Sequence, residues 1–212
     1  MKLKLMFLLV IVLSGSCAKK NYKKTDYSYY KREITKLRNS EKKNIRPQKE
    51  TSSGPVTDAS ARIQYLSPEE KKKFATLLRI SEDSLTNEKL YAAITKWLET
   101  PYRWGGTSPD GVDCSSLTQQ IYEEVYDKEI PRTSLQQFYF DTRAQFKNQD
   151  YLKEGDLVFF RLRFQDEIVS HVGIYLQNGK FLGSNSPRGV EITDLDTPYW
   201  QDKYVASARL LK

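Results

Sequence analysis

Two cysteines and one histidine limit the nucleophilic chemistry open to this chain. Cys114 follows Gly111-Val112-Asp113 and begins a stretch whose apolar residues Leu117, Ile121 and Val125 recur at helical spacing. Tyr122 and Tyr126 widen the same stripe. Asp113 then reads as a helix cap, and Cys114 falls in the first turn. Free amide N–H groups and the positive dipole end favour a thiolate there. His171 opens His-Val-Gly-Ile-Tyr-Leu, an apolar run expected of a buried strand. A helix-borne cysteine facing a strand-borne histidine is a nucleophile beside its base: the imidazole holds the proton and the sulfur attacks. Each residue also has a plainer reading, Cys114 as a small buried hydrophobe and His171 as a polar residue at a strand edge. A zinc site of four protein ligands is not available from these residues without carboxylates, so neither a metal nor a cofactor is expected.

The elements around the pair can be read in outline. Ser67-Pro68-Glu69-Glu70 is a helix start, with a capping serine, proline at the first position and acids in the first turn. Phe74, Leu77 and Leu78 follow at helical spacing. A second helix is predicted over about 87–98, with Leu90, Ile94, Trp97 and Leu98 on one face and Pro101 as its stop. Gly105-Gly106 and Pro109-Asp110-Gly111 make a turn-rich loop before the cysteine. Gly155-Asp156-Leu157-Val158-Phe159-Phe160 reads as a turn and a strand.

The N-terminal portion is of another kind. Met1–Lys4 is basic, Leu5–Leu13 is apolar throughout, and Ser14-Gly15-Ser16 supplies small residues before Cys17. This is the pattern of a secretory signal, and the apolar run is too short to span a bilayer. Residues 18–62 hold 13 Lys or Arg against 5 Asp or Glu, and Lys2 and Lys4 add two cations. The net +7 of the whole therefore leaves residues 63–212 at −3. The basic character belongs to a polar tether with little to bury, which argues against nucleic acid as a partner.

The segments Pro-Tyr-Arg-Trp-Gly-Gly-Thr, Gly-Val-Asp-Cys-Ser, Ile-Pro-Arg-Thr-Ser, Gly-Asp-Leu-Val-Phe-Phe and His-Val-Gly-Ile-Tyr-Leu, in that order, resemble the NlpC/p60 family of cell-wall peptidases. The closing Thr197-Pro198-Tyr199-Trp200 and Tyr204 fit as well. The resemblance implies a papain-like α+β fold in which N-terminal helices, the Cys-bearing one included, pack on an antiparallel sheet carrying His171. It implies a cysteine endopeptidase acting on the peptide stems of peptidoglycan, cutting between γ-D-glutamate and a diamino acid. Cys114 and His171 are then catalytic. Tyr102 lies by the oxyanion site, and Asp113 and Ser115 hold the substrate's ammonium end. Separately, a cysteine directly after the small residues of the leader resembles a bacterial lipoprotein signal, which implies that Cys17 is lipidated as the first mature residue, although Ser14 stands where that signal usually has leucine. Without an acidic residue after Cys17, the outer membrane, facing the periplasm, is the expected location.

The expected organisation is a signal peptide over 1–17, a tether over 18–62, a helical lead-in over 63–80 and a peptidase domain over 81–212, as a monomer. There are two departures from the family pattern. Ser116 stands where glycine is frequent, and Gly183 stands where the residue that orients the imidazole, usually histidine, is found. Glycine cannot orient a ring, so Asn185 or a water is the expected substitute. Two other readings stand beside the peptidase: a papain-like amidase or acyltransferase on another substrate, and a wall-binding module of low activity, for which Gly183 speaks in part.

Overall fold

The structure, a computed structural model, describes residues 66–162 and 167–211. The expected signal peptide, Cys17 and the expected tether lie outside the described residues.

Helix α1 (Pro68–Leu78) starts as its sequence predicts. Ser67 accepts from the Glu70 backbone N–H, and the Glu70 carboxylate accepts from the Ser67 N–H at 2.8 Å, which closes a capping box. Its Phe74 and Leu78 are buried in the same core as Leu90, Leu117 and Leu157, so the described part of the lead-in packs with the expected peptidase domain. Helix α2 (Glu88–Trp97) is capped by Asn87 and buries Leu90, Ile94 and Trp97. It ends well before Pro101. Glu99 adopts a positive φ and donates its N–H to the Val190 carbonyl, so the backbone leaves the helix to join the sheet. Helix α3 (Cys114–Tyr126) buries Leu117, Ile121, Tyr122 and Val125. Two short helices follow, α4 (Ser134–Phe140) and α5 (Pro198–Lys203).

A small hairpin, β1 (Thr107–Ser108) with β2 (Gly111–Val112), precedes α3. The main sheet contains β3 (Gln145–Phe146), β4 (Leu157–Phe160), β5 (His171–Tyr175), β6 (Lys180–Asn185), β7 (Gly189–Asp194) and β8 (Tyr204–Ala208). Its order is β3-β8-β4-β5-β6-β7, antiparallel throughout. Strand β4 is apolar at every position because it is covered on both faces. Leu157 and Phe159 join the core shared with α1, α2 and α3, while Val158 and Phe160 pack with Phe181, Leu195 and Trp200 on the far side. This is the α+β arrangement expected, with helices of the N-terminal half on one face of an antiparallel sheet.

Candidate active site

The loop that delivers Cys114 is strapped to the sheet by its backbone. The Val190 N–H donates to the Thr100 carbonyl at 2.9 Å, Val112 N–H to Pro101 at 3.0 Å, and Asp113 N–H to Gly106 at 3.2 Å. Ser184, buried on β6, donates its hydroxyl to the Val112 carbonyl at 2.7 Å. Two glycines permit this closeness. A Cβ on Gly106 would stand 2.3 Å from the Gly111 carbonyl oxygen, and one on Gly189, at φ +82, 2.3 Å from that of Thr100. The start of α3 is thereby held against the central strands.

Cys114 is the first residue of α3 and is 7% exposed. The Val172 backbone N–H, one residue beyond His171 on β5, approaches the sulfur as a hydrogen-bond donor, so the thiol sits against the strand that carries the histidine. Burial pushes the thiol up to about 11, although the Val172, Ser115 and Cys114 N–H groups pull the other way. Burial likewise pulls His171 down to about 4, opposed by Asn185. Both shifts favour the uncharged forms, thiol and neutral imidazole. A helix dipole at Cys114 alone suggests a thiolate, but loss of hydration outweighs it.

Asp113 caps α3 as expected, accepting from the Ser116 N–H at 2.7 Å and from the Ser115 hydroxyl at 3.0 Å. Sequence reasoning gave no role to Arg132, which the structure brings onto the same carboxylate. Its two Nη groups reach Oδ1 and Oδ2 at 2.9 and 2.7 Å, and one also reaches the Ser115 hydroxyl at 3.1 Å. Burial pushes the Asp113 carboxyl up, but the Arg132 hydrogen bonds, the Ser116 N–H and the Arg132 charge together hold it below the usual range. The available signal was an arginine between Pro131 and the capping Thr133 of α4.

His171 is 3% exposed and rests against two aromatic rings. Trp200 of α5 stacks on it with centroids 5.6 Å apart at 22°, and Phe160, its cross-strand partner, lies at 5.9 Å. Its Nε2 and the Oδ1 of Asn185 are both buried without a hydrogen bond of normal geometry. They face the same small space. A Cβ built on Gly183 would stand 3.0 Å from Asn185 Oδ1 and 3.5 Å from His171 Nε2. Gly183 and Asn185 share one face of β6, so the missing side chain at 183 makes room for the amide of 185. Asn185 is close enough to favour the protonated ring, which is the office of an orienting acceptor.

Two cavities open on the pair. One of about 330 Å³ is lined by Cys114, Asp113, Ser115 and Arg132, and one of about 620 Å³ by His171, Asn185, Arg188, Tyr199 and Trp200. Tyr102, Trp104 and Ser170 line both, so they form the ridge between two halves of one cleft. Tyr102 is fixed there by a bridge to Val112. Among the described residues, no group of three or more His, Cys, Asp or Glu could hold a metal ion.

An antiparallel sheet presenting histidine to a cysteine at a helix start defines a papain-like fold. Comparison with known proteins makes this specific: residues 99–209 match the NlpC/P60 family, and the chain belongs to it. It is 36% identical over 129 residues to the "Probable endopeptidase NlpC homolog" of Haemophilus influenzae, covering 60% of this chain and 66% of that protein. It is 41% identical over 113 residues to the murein DD-endopeptidase MepH of Escherichia coli, covering 52% of this chain and 41% of that one. A crystal structure of an NlpC/P60 family protein from Bacillus cereus superposes with a TM-score of 0.51 at 32% identity, over 60% of this chain and 41% of the other. The matched part of the chain covers between 34% and 83% of the length of curated relatives of this kind.

Proposed function

We propose that this protein is a cysteine endopeptidase of peptidoglycan stem peptides, with Cys114 as nucleophile and His171 as base. The observation that carries this is the placement of a buried thiol at the first turn of α3, against the strand that presents the chain's sole histidine, in a two-sided cleft. Family membership and relatives named as murein endopeptidases support the substrate class.

The chemistry follows from the resting charge state. The neutral imidazole takes the thiol proton through Nδ1 as the sulfur adds to the carbonyl carbon, so neither charge forms alone in the buried site. The new ion pair is then internally compensated, which offsets the desolvation that opposes each charge singly. The imidazolium returns its proton to the leaving amine, and the thioester is hydrolysed by water with His171 again as base. Tyr102, on the ridge of the cleft, lies by the developing oxyanion.

Asp113 and Ser115 are assigned to the ammonium end of the stem. Arg132 already neutralises most of the carboxylate's charge, so the ammonium would be drawn to the remaining acceptor capacity of Oδ2 and of the Ser115 hydroxyl. The bond assigned is that between γ-D-glutamate and the diamino acid. Cys17 is assigned as a lipidated anchor placing a monomer at the outer membrane, on the periplasmic side.

The test is digestion of purified muropeptides followed by mass spectrometry, with Cys114→Ala as the control. Cleavage next to γ-D-glutamate by the wild type, absent in a folded Cys114→Ala, is the expected result. Cleavage between two D-residues instead would move the specificity to the bond named for MepH. Intact muropeptides with folded wild type, or full activity of Cys114→Ala, would overturn the assignment.

A further inference from the structure

The carboxylate of Glu191, on β7 directly opposite Gly183, has no place in the chemistry just described. It accepts from the Asn185 side-chain amide, Nδ2 to Oε1, at 2.7 Å. The same carboxylate takes Arg188 Nε at 2.8 and 2.9 Å, and Arg188 Nη2 at 2.7 Å. Arg188, Glu191, Asn185 and His171 therefore form a chain that runs from the cleft surface to the buried ring.

An amide has a donor end and an acceptor end, and its environment decides which points where. A carboxylate can only accept. With Glu191 on one side, Asn185 must turn its NH₂ towards Glu191 and its Oδ1 towards His171 Nε2. A neutral imidazole has one N–H, and an acceptor at Nε2 draws it there. The free lone pair is then on Nδ1, the nitrogen needed as base. Were the amide reversed, its NH₂ would donate to Nε2, the proton would sit on Nδ1, and the ring could not take a proton from the thiol.

We infer that Glu191 is a positioning residue: by fixing the orientation of the Asn185 amide it holds His171 in the Nε2–H tautomer, with Nδ1 open to Cys114. This rests on the peptidase assignment above only for its catalytic consequence. Burial pushes the Glu191 carboxyl up, but hydrogen bonds from Arg188 and Asn185 hold it below its ordinary range. It therefore stays an acceptor at neutral pH. Asn185, 4% exposed, has no bulk water with which to exchange its amide partners.

The single histidine makes the tautomer directly measurable. In protein labelled with ¹⁵N-histidine, the two ring nitrogens resonate far apart according to which carries the proton. Near neutral pH the buried ring is uncharged, so the tautomer is what the spectrum reports. Wild type is expected to show one species, protonated at Nε2. Glu191→Ala leaves the amide free to take either orientation, so a mixture of tautomers is expected. Its kcat should fall roughly ten- to a hundredfold, the range for outer partners that orient histidines, with KM little changed. Adding Asn185→Asp to Glu191→Ala supplies an acceptor with no donor end, so it should restore both the single Nε2–H species and most of kcat. Glu191→Met keeps a side chain of similar length with no acceptor oxygen, and gives the same tautomer test if the alanine variant unfolds.

Wild type protonated at Nδ1 would overturn the inference, as would an unmixed Nε2–H species in both Glu191 variants. A folded double variant that regains neither signal nor rate would do the same. An Nε2–H wild type that cleaves no muropeptide would instead overturn the peptidase assignment and leave the tautomer relay standing.

Discussion

Gly183 stands where the family resemblance implies an orienting histidine, and its surroundings in the structure are close-packed. The missing side chain is space that the amide of Asn185 uses. Adding a methyl group in Gly183→Ala would bring a Cβ to 3.0 Å from Asn185 Oδ1, 3.2 Å from Phe181 Cε2 and 3.5 Å from His171 Nε2. Ordinary carbon contacts begin near 3.4 Å, so Asn185 and Phe181 must each yield by a few tenths of an ångström. Phe181 is fully buried against Phe160 and Trp200, so most of the movement falls on Asn185. Overpacking of this kind costs about 1–3 kcal/mol. Loss of unfolded-chain freedom on replacing glycine returns roughly 0.4–1 kcal/mol, and the backbone at 183 has no positive φ to add strain. A net loss of about 1 kcal/mol in stability is expected. A displaced acceptor also loosens the imidazole. Since a misplacement of 1 Å can cost about 10² in rate, a shift of a few tenths should lower kcat by roughly three- to tenfold. Gly183→His should be worse than Gly183→Ala, because its ring must expel Asn185 from the slot. The assay is kcat on one purified muropeptide alongside thermal unfolding. A Gly183→His enzyme that is folded and faster than wild type would falsify this account, since it would mean that the slot is empty.

Arg132→Met removes both hydrogen bonds to Asp113 while keeping a long side chain, and should lower kcat/KM at least about tenfold. Because Arg132 is partly exposed, only about 1–2 kcal/mol of stability should go with it, measured by urea unfolding. His171 sets an acid limit on the fold. Its folded pKa lies near 4 against an ordinary 6.5, so above pH 6.5 both folded and unfolded states are neutral there. As pH falls from 6.5 towards 4 the unfolded chain binds a proton that the native state refuses, and stability drops by roughly 3 kcal/mol before levelling. His171→Gln should lose this slope, and unfolding curves for the two proteins that stay parallel across the range would refute it. Cys17→Ser protein should leave the membrane fraction for the soluble one. A variant that still fractionates wholly with membranes would show that the anchor lies elsewhere.

Much of the fold was legible because it is written in local chemistry. The capping box of Ser67 and Glu70, the stripe of α3 and the apolar run of β4 each follow from neighbours in sequence. The candidate nucleophile and base were legible too, since two cysteines and one histidine leave few choices. The partners of the site were not, because they lie on other elements. Arg132 reaches Asp113 from the segment between α3 and α4, and Glu191 reaches Asn185 across β6 and β7. The third position shows the difference most sharply. Asn178-Gly179 predicts a two-residue hairpin, in which Gln177 opposes Lys180 and Ser186 would come opposite His171. The strands instead pair Tyr175 with Phe181 and Ile174 with Leu182, one residue out of that register. Carried back along the hairpin, this brings Asn185 opposite His171. A one-residue slip exchanges the faces of a strand, so the register decides whether the asparagine meets the imidazole or points away. Residue type and spacing alone picked out the candidates for the chemistry. Which of them meet was decided by strand pairing and by burial on both faces of the sheet, and no local stretch of the sequence carries that information.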